Sequence, residues 1–178
     1  MLRLFVALAL PDRVKAQLAA LSGGLPGARW VPAENYHLTL RFIGEIEAWQ
    51  AEEVDAALSA IRAPRFDLAL AGIGTFEKAG RIQSLHITAE RSPGLTHLQA
   101  KVETALQRVG LPPDRRRFAP HVTLARTDKV ETPKLAGFIQ AHSLFRSPPV
   151  PVGNFCLFSS YLGKAAAHYT PEVEYALG

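Results

Sequence analysis

The chain has 178 residues, 48% of them apolar and 20% charged, with a net charge of +4. This is the composition of an ordinary globular protein, one domain or two small lobes sharing a core, and it excludes disorder, collagen and low complexity. No apolar run is long enough to cross a bilayer, so no membrane association is expected.

Residues 2–10 are mostly apolar with little alternation, which predicts a strand buried on both faces. Pro11-Asp12 follows at once with no small-residue cleavage site, as expected of a strand rather than a signal peptide. Pro11-Asp12 opens a helix with Val14, Leu18 and Leu21 on one stripe, ended by Ser22-Gly23-Gly24. A short strand is predicted over Ala28–Val31 and a longer one over Tyr36–Ile43, closed by Gly44. Glu47–Ile61 reads as a helix through Val54, Leu58 and Ile61. Phe66–Leu70 alternates as a strand, Glu77–Gly80 turns, and Arg81–Ala89 pairs back antiparallel.

Ser92-Pro93 is a helix start, a cap followed by proline at the first helical position. Leu95, Leu98, Val102, Leu106 and Val109 form its stripe, and Gly110 its end. Residues 111–119 form a loop rich in proline and arginine, and Pro120 leads into another strand. A short helix is predicted over 133–142. Gly153–Leu162 and Ala167–Ala176 form a closing hairpin whose second arm, because of Pro171, must be an edge or a bend. Cys156 is the single cysteine, so no internal disulfide can form; it reads as a small buried hydrophobe in a reducing, cytoplasmic setting. The order of elements suggests two related halves. An α+β fold is expected over residues 1–178: two lobes, mainly antiparallel sheets lining a central cleft, helices outside.

One phrase occurs twice, as His37-Leu38-Thr39-Leu40 and as His121-Val122-Thr123-Leu124. In a strand, residues two apart share a face. Each phrase therefore puts an imidazole beside a hydroxyl and turns its aliphatic residues the other way. A single His–Thr pair is ordinary structure; two copies on facing strands would place two imidazoles and two hydroxyls around one cavity. Histidine can act as acid or base near neutral pH. Threonine hydroxyls can donate to phosphate oxygens without titrating. Together they form a kit for cleaving a phosphodiester.

Competing chemistries find no support. Two imidazoles are too few for a closed zinc site, and no Cys cluster or His-Glu-x-x-His occurs, so no metal is expected. Gly-x-Ser-x-Gly is absent, Gly72-Ile73-Gly74 is too short for a dinucleotide fingerprint, and there is no P-loop, so no cofactor is expected. Arg41, Arg117, Phe118 and Arg126 adjoin the two phrases and are candidate substrate contacts; the run Arg115–Arg117 fits an anionic partner such as RNA. Arg126 lies at an odd offset from His121, so a regular strand would turn it away from the cleft unless a twist or bulge intervenes. His86, His97, His142 and His168 are read as structural or exposed.

The segments Trp30-Val31-Pro32, Asn35-Tyr36-His37-Leu38-Thr39-Leu40-Arg41-Phe42-Ile43-Gly44-Glu45 and Phe118-Ala119-Pro120-His121-Val122-Thr123-Leu124-Ala125-Arg126 resemble the 2H (two-histidine) phosphoesterases. Within them the chain is similar to the RNA 2′,3′-cyclic phosphodiesterases, historically named 2′-5′ RNA ligases. The resemblance implies a two-lobed fold with approximate (pseudo-) two-fold symmetry, and hydrolysis of RNA 2′,3′-cyclic phosphate ends to 2′-phosphate ends, without a metal, by a monomer. It implies His37 as proton donor, His121 as proton acceptor, and Thr39 and Thr123 as phosphate binders. It also allows weak, reversible, ATP-independent 2′-5′ joining. Relatives often carry a tryptophan in the strand after Lys78, where this chain has Ser84-Leu85. Two alternatives stay open: a phosphodiesterase for another cyclic nucleotide, and a nucleotide- or RNA-binding module without turnover.

Overall fold

The computed structural model describes residues 1–178. The first half runs β1 (Leu2–Ala9), α1 (Asp12–Ala19), β2 (Arg29–Trp30), a 3-10 turn at Ala33–Asn35, β3 (His37–Ile46), α2 (Ala48–Ser59), β4 (Phe66–Leu68) and β5 (Leu70–Lys78). The second runs β6 (Arg81–Ala89), α3 (Pro93–Arg108), β7 (His121–Arg126), α4 (Thr132–His142), β8 (Val150–Val152), β9 (Asn154–Leu162) and β10 (Ala167–Ala176).

All strand pairs are antiparallel. One four-stranded sheet has the order β10-β9-β1-β3, a second β2-β7-β6-β5, and β4-β8 forms a small third sheet. The α+β architecture is therefore as expected. β1 is buried on both faces for a visible reason. Leu4, Val6 and Leu8 enter the large core under α1, α2 and α3, while Phe5 and Ala7 pack with Cys156 and Phe158 on the other side. Leu38 and Leu40 of β3 and Val122 and Leu124 of β7 enter that same large core, so the aliphatic faces of both phrases anchor in one apolar body.

Local chemistry explains the starts of two of the four helices. Ser92 Oγ accepts from the Leu95 amide, with Pro93 in the first turn of α3. At α2, Glu47 and Gln50 form a reciprocal capping box. α1 stops at Ala19, short of Leu21, which packs against the core after the helix has ended.

The strands depart further from expectation. Gly44 does not close β3: at φ +90 it lies inside the strand, beside a bulge opposite Leu4 and Phe5. Phe66–Leu70 is two strands, since β4 leaves to pair with β8 and β5 begins at Leu70. β5 shows no alternation because Gly72 and Gly74 interrupt it, with Gly72 at φ +79 in a register break against β6. Pro171 lies on the edge strand β10 and also at a register break, satisfying both roles open to it. α4, by contrast, is close to expectation: predicted over 133–142, it runs from Thr132 to His142.

Candidate active site

β3 and β7 approach one another where the two large sheets meet. Both carry the repeated phrase, and both hold it in the same local geometry. His37 Nδ1 donates to the Asn35 carbonyl at 2.7 Å, two residues back along the chain. His121 Nδ1 donates to the Ala119 carbonyl at 2.6 Å, again two residues back. With the proton fixed on Nδ1, each neutral ring keeps its Nε2 lone pair free of the backbone. Thr39 Oγ1 donates to His37 Nε2 at 2.9 Å.

The bulge that the sequence left open is present, and it occurs twice. In the β6–β7 pair, Leu85 lies opposite Ala125 and His86 opposite Thr123, so Leu124 is the extra residue. In the β1–β3 pair, Val6 lies opposite Arg41 and Ala7 opposite Thr39, so Leu40 is extra. One inserted residue reverses the facing of all that follow it. Leu124 and Ala125 are both buried and Arg126 emerges on the cleft; Leu40 and Arg41 are both buried and Phe42 emerges. Aligning the two phrases pairs Phe42 with Arg126, a signal the sequence contained.

The resulting cleft has two connected parts. One, of about 600 Å³, is lined by Phe76, Ser84, Arg116, Arg117 and Phe118 among others. The other, of about 400 Å³, is lined by Arg3, Phe5, Asn35, His37 and Tyr169 among others. Thr39, Phe42, His121, Thr123 and Arg126 line both and so stand at the junction. Arg117, Phe118 and Arg126 thus reach the cavity. Arg115, grouped with Arg116 and Arg117 in the sequence, does not line it.

Arg41 also lines the larger part of the cleft, but protein contacts hold its guanidinium. It is 7% exposed, and its Nε donates to Glu103 at 2.6 Å. Its other nitrogens donate to the carbonyls of Phe42 and Pro112. Glu103 also accepts from the Asp114 amide. Arg41 and Glu103 therefore tie β3, α3 and the arginine-bearing loop together, and the guanidinium is engaged by protein on every nitrogen. Here the bulge decides again, since it turns Arg41 inward.

Several wall residues escaped the sequence reading. Phe5 lies 4.8 Å and Tyr169 5.2 Å, ring to ring, from His37. Phe76 stands edge-on to His121 at 4.8 Å. His86, read as structural, packs 4.9 Å from His121 with its Nδ1 buried and unpaired. Burial is the main cause holding both His37 and His121 below the ordinary imidazole value. Their backbone hydrogen bonds oppose it, while His121 and Lys15 add to the effect on His37. Cys156 is buried, and its thiol is pushed up to about 11.

A family model described as LigT-like phosphoesterase matches the chain twice, over residues 8–86 and 85–168. The chain belongs to the LigT-like phosphoesterase family. That one model fits each half in turn agrees with the repeated phrase, the repeated backbone bonds and the repeated bulge. An RNA 2′,3′-cyclic phosphodiesterase of Escherichia coli K12 is 31% identical over 182 residues, covering 98% of this chain and 96% of the relative. One of Geobacillus stearothermophilus is 34% identical over 72% of this chain, and the match spans only 43% of that relative's length. Among solved structures, E. coli LigT complexed with 3′-AMP superposes with a TM-score of 0.78 at 29% identity, covering 99% of this chain and 98% of that one. LigT-like phosphoesterases are thus similar to this chain across both lobes and the cleft between them.

Proposed function

We propose that the chain hydrolyses RNA 2′,3′-cyclic phosphodiester ends to 2′-phosphomonoester ends, with His37 as proton donor and His121 as proton acceptor. The observation carrying this reading is the junction of the cleft. It gathers His121, both threonines and Arg126, with His37 beside them hydrogen-bonded to Thr39. Support also comes from the E. coli relative's name and from the 3′-AMP held by E. coli LigT.

In this mechanism His121 Nε2 takes a proton from water as the water oxygen bonds to phosphorus. The bond from phosphorus to O3′ breaks, and protonated His37 gives its Nε2 proton to the departing O3′. The hydroxyls of Thr39 and Thr123 donate to the non-bridging oxygens, where negative charge builds. With a 5′-hydroxyl in place of water, the same steps join the ends: the 5′-oxygen bonds to phosphorus as its proton passes to His121, and O3′ leaves with a proton from His37. The product is a 2′-5′ bond made without ATP, and the reverse of that step cleaves it. The protein works as a cytoplasmic monomer without a cofactor in this reading.

Product analysis by phosphorus NMR tests the proposal on a cyclic mononucleotide and on an RNA oligomer with a cyclic end. A 2′-phosphate product formed equally fast in EDTA is expected. A 3′-phosphate product, or activity that EDTA abolishes and a divalent ion restores, overturns it.

The pH profile is a second test. One imidazole must be charged and the other neutral, so kcat/KM is expected to be bell-shaped. Burial lowers both groups, so the protonated donor is lost early as pH rises, while the neutral acceptor persists further as pH falls. The bell is therefore centred below about 6.5, the ordinary histidine value. A bound phosphate anion favours imidazolium, so the kcat bell lies at higher pH than the kcat/KM bell. Initial rates from about pH 4 to 9 check both; a kcat/KM optimum above 7 contradicts the assignment.

A further inference from the structure

His86 lies on β6 directly opposite Thr123 of β7, with its ring 4.9 Å from that of His121. In the first lobe the equivalent partner of Thr39 is Ala7, so His86 is a feature of the second lobe alone. The side chain is 7% exposed, and Phe76 covers it at 4.5 Å. Gly74 of β5 lies opposite it, and a Cβ there would overlap Nε2 and stand 3.0 Å from Cε1. The room for this imidazole therefore exists because position 74 has no side chain.

Nδ1 of His86 is buried with no hydrogen-bond partner. An unpaired buried nitrogen is costly, and an apolar side chain of similar shape would avoid that cost. An orphaned acceptor is tolerated better than an orphaned N–H, so the proton belongs on Nε2 and the unpaired lone pair on Nδ1. Burial, with the nearby His121 in addition, pushes the imidazole down to about 4, so His86 is neutral at working pH. The groups facing His121 are His86 from β6, the non-titrating Phe76 from β5 and His37 across the cleft. Arg126 on its own strand and Arg116, Arg117 and Asp114 from the preceding loop share its cavity. Of these, the arginines oppose positive charge on His121, whereas a neutral ring with a free lone pair favours it.

We propose that His86 is a positioning residue for His121: it walls the catalytic imidazole in place, and its unpaired Nδ1 supports the positive charge that His121 gains on taking the proton from water. This rests on His121 acting as the base in the reaction proposed above. The lone pair is unused in the resting protein and acts when His121 becomes charged, which is the condition for an interaction to accelerate the chemical step.

Kinetics of His86→Leu on a cyclic mononucleotide test the role. The expected result is a kcat about tenfold lower with KM within about twofold, the pattern of an interaction made only in the transition state. The acid limb of the kcat profile should move to lower pH, because His121 loses support for its proton. The melting temperature should hold or rise, because the unpaired nitrogen is gone. Unchanged kcat overturns the proposal, as does a kcat loss that follows a fall in melting temperature with the limb unmoved. Gly74→Ala provides a second route, forcing the ring aside without removing its nitrogen. It should lower kcat and melting temperature; adding His86→Ala should restore the melting temperature and leave kcat low. Gly74→Ala at wild-type kcat, or kcat restored in the double variant, overturns it. If the wild-type protein does not turn over the cyclic nucleotide, the proposed function itself has failed; if it does and His86→Leu matches it, only the role of His86 has.

Discussion

Replacing either His37 or His121 with alanine is expected to lower kcat on a cyclic mononucleotide by about 10²-fold or more, the usual worth of positioned acid–base help. Each ring is held by one backbone carbonyl, and neither is part of a wider side-chain network outside the cleft. Truncation removes one hydrogen bond to a backbone carbonyl, that of the buried Asn35 or of the exposed Ala119, a loss of about 1–3 kcal/mol at most that folding should survive. The double variant should be far less than multiplicatively worse, because groups that act as a unit are not additive. Thermal unfolding measured beside the kinetics separates lost chemistry from lost structure. Near-wild-type turnover by either single variant would remove that histidine from the mechanism.

Arg126→Ala should be nearly as damaging, and on every substrate. Arg126 lines both parts of the cleft together with Thr39, Thr123 and His121. In the proposed reaction that position puts Arg126 at the reacting phosphate rather than on the flanking chain. Removing one charge-assisted donor from such a site costs about 10²-fold. Arg116 and Arg117 line one part only, on an exposed loop. Their replacement by alanine should weaken binding of an RNA oligomer and lower its salt slope by about one for each phosphate that is no longer neutralised. A cyclic mononucleotide, with no flanking phosphates, should be turned over almost as before. Salt-dependent kcat/KM on both substrates measures the distinction. Equal losses on both from the loop variants, or an Arg126 effect confined to the oligomer, would reverse the division of labour.

The two His–Thr phrases could be read from sequence because the rule behind them is local. A strand alternates its faces whatever lies beside it, so His37 with Thr39 and His121 with Thr123 had to share a face. The caps at Ser92 and Gly110 were legible for the same reason, since each acts within one turn of chain. The register of a strand against its neighbour is not local, and it decided the rest of the site. Leu40 and Leu124 are the extra residues only because β1 and β6 fix what stands opposite them. Those bulges bring Phe42 and Arg126 to the cleft and turn Arg41 inward to Glu103. β8, at three residues, has too little pattern to announce itself, and only its pairing with β4 separates β4 from β5. His86 and Phe76 are ordinary residues of a hairpin until β6 pairs with β7 and sets them against His121. The sequence alone thus determined that each imidazole stands beside its hydroxyl, because alternation is a property of a single strand. Only the tertiary structure decided what surrounds them, because burial, charge and the unpaired nitrogen of His86 arise where separate strands meet.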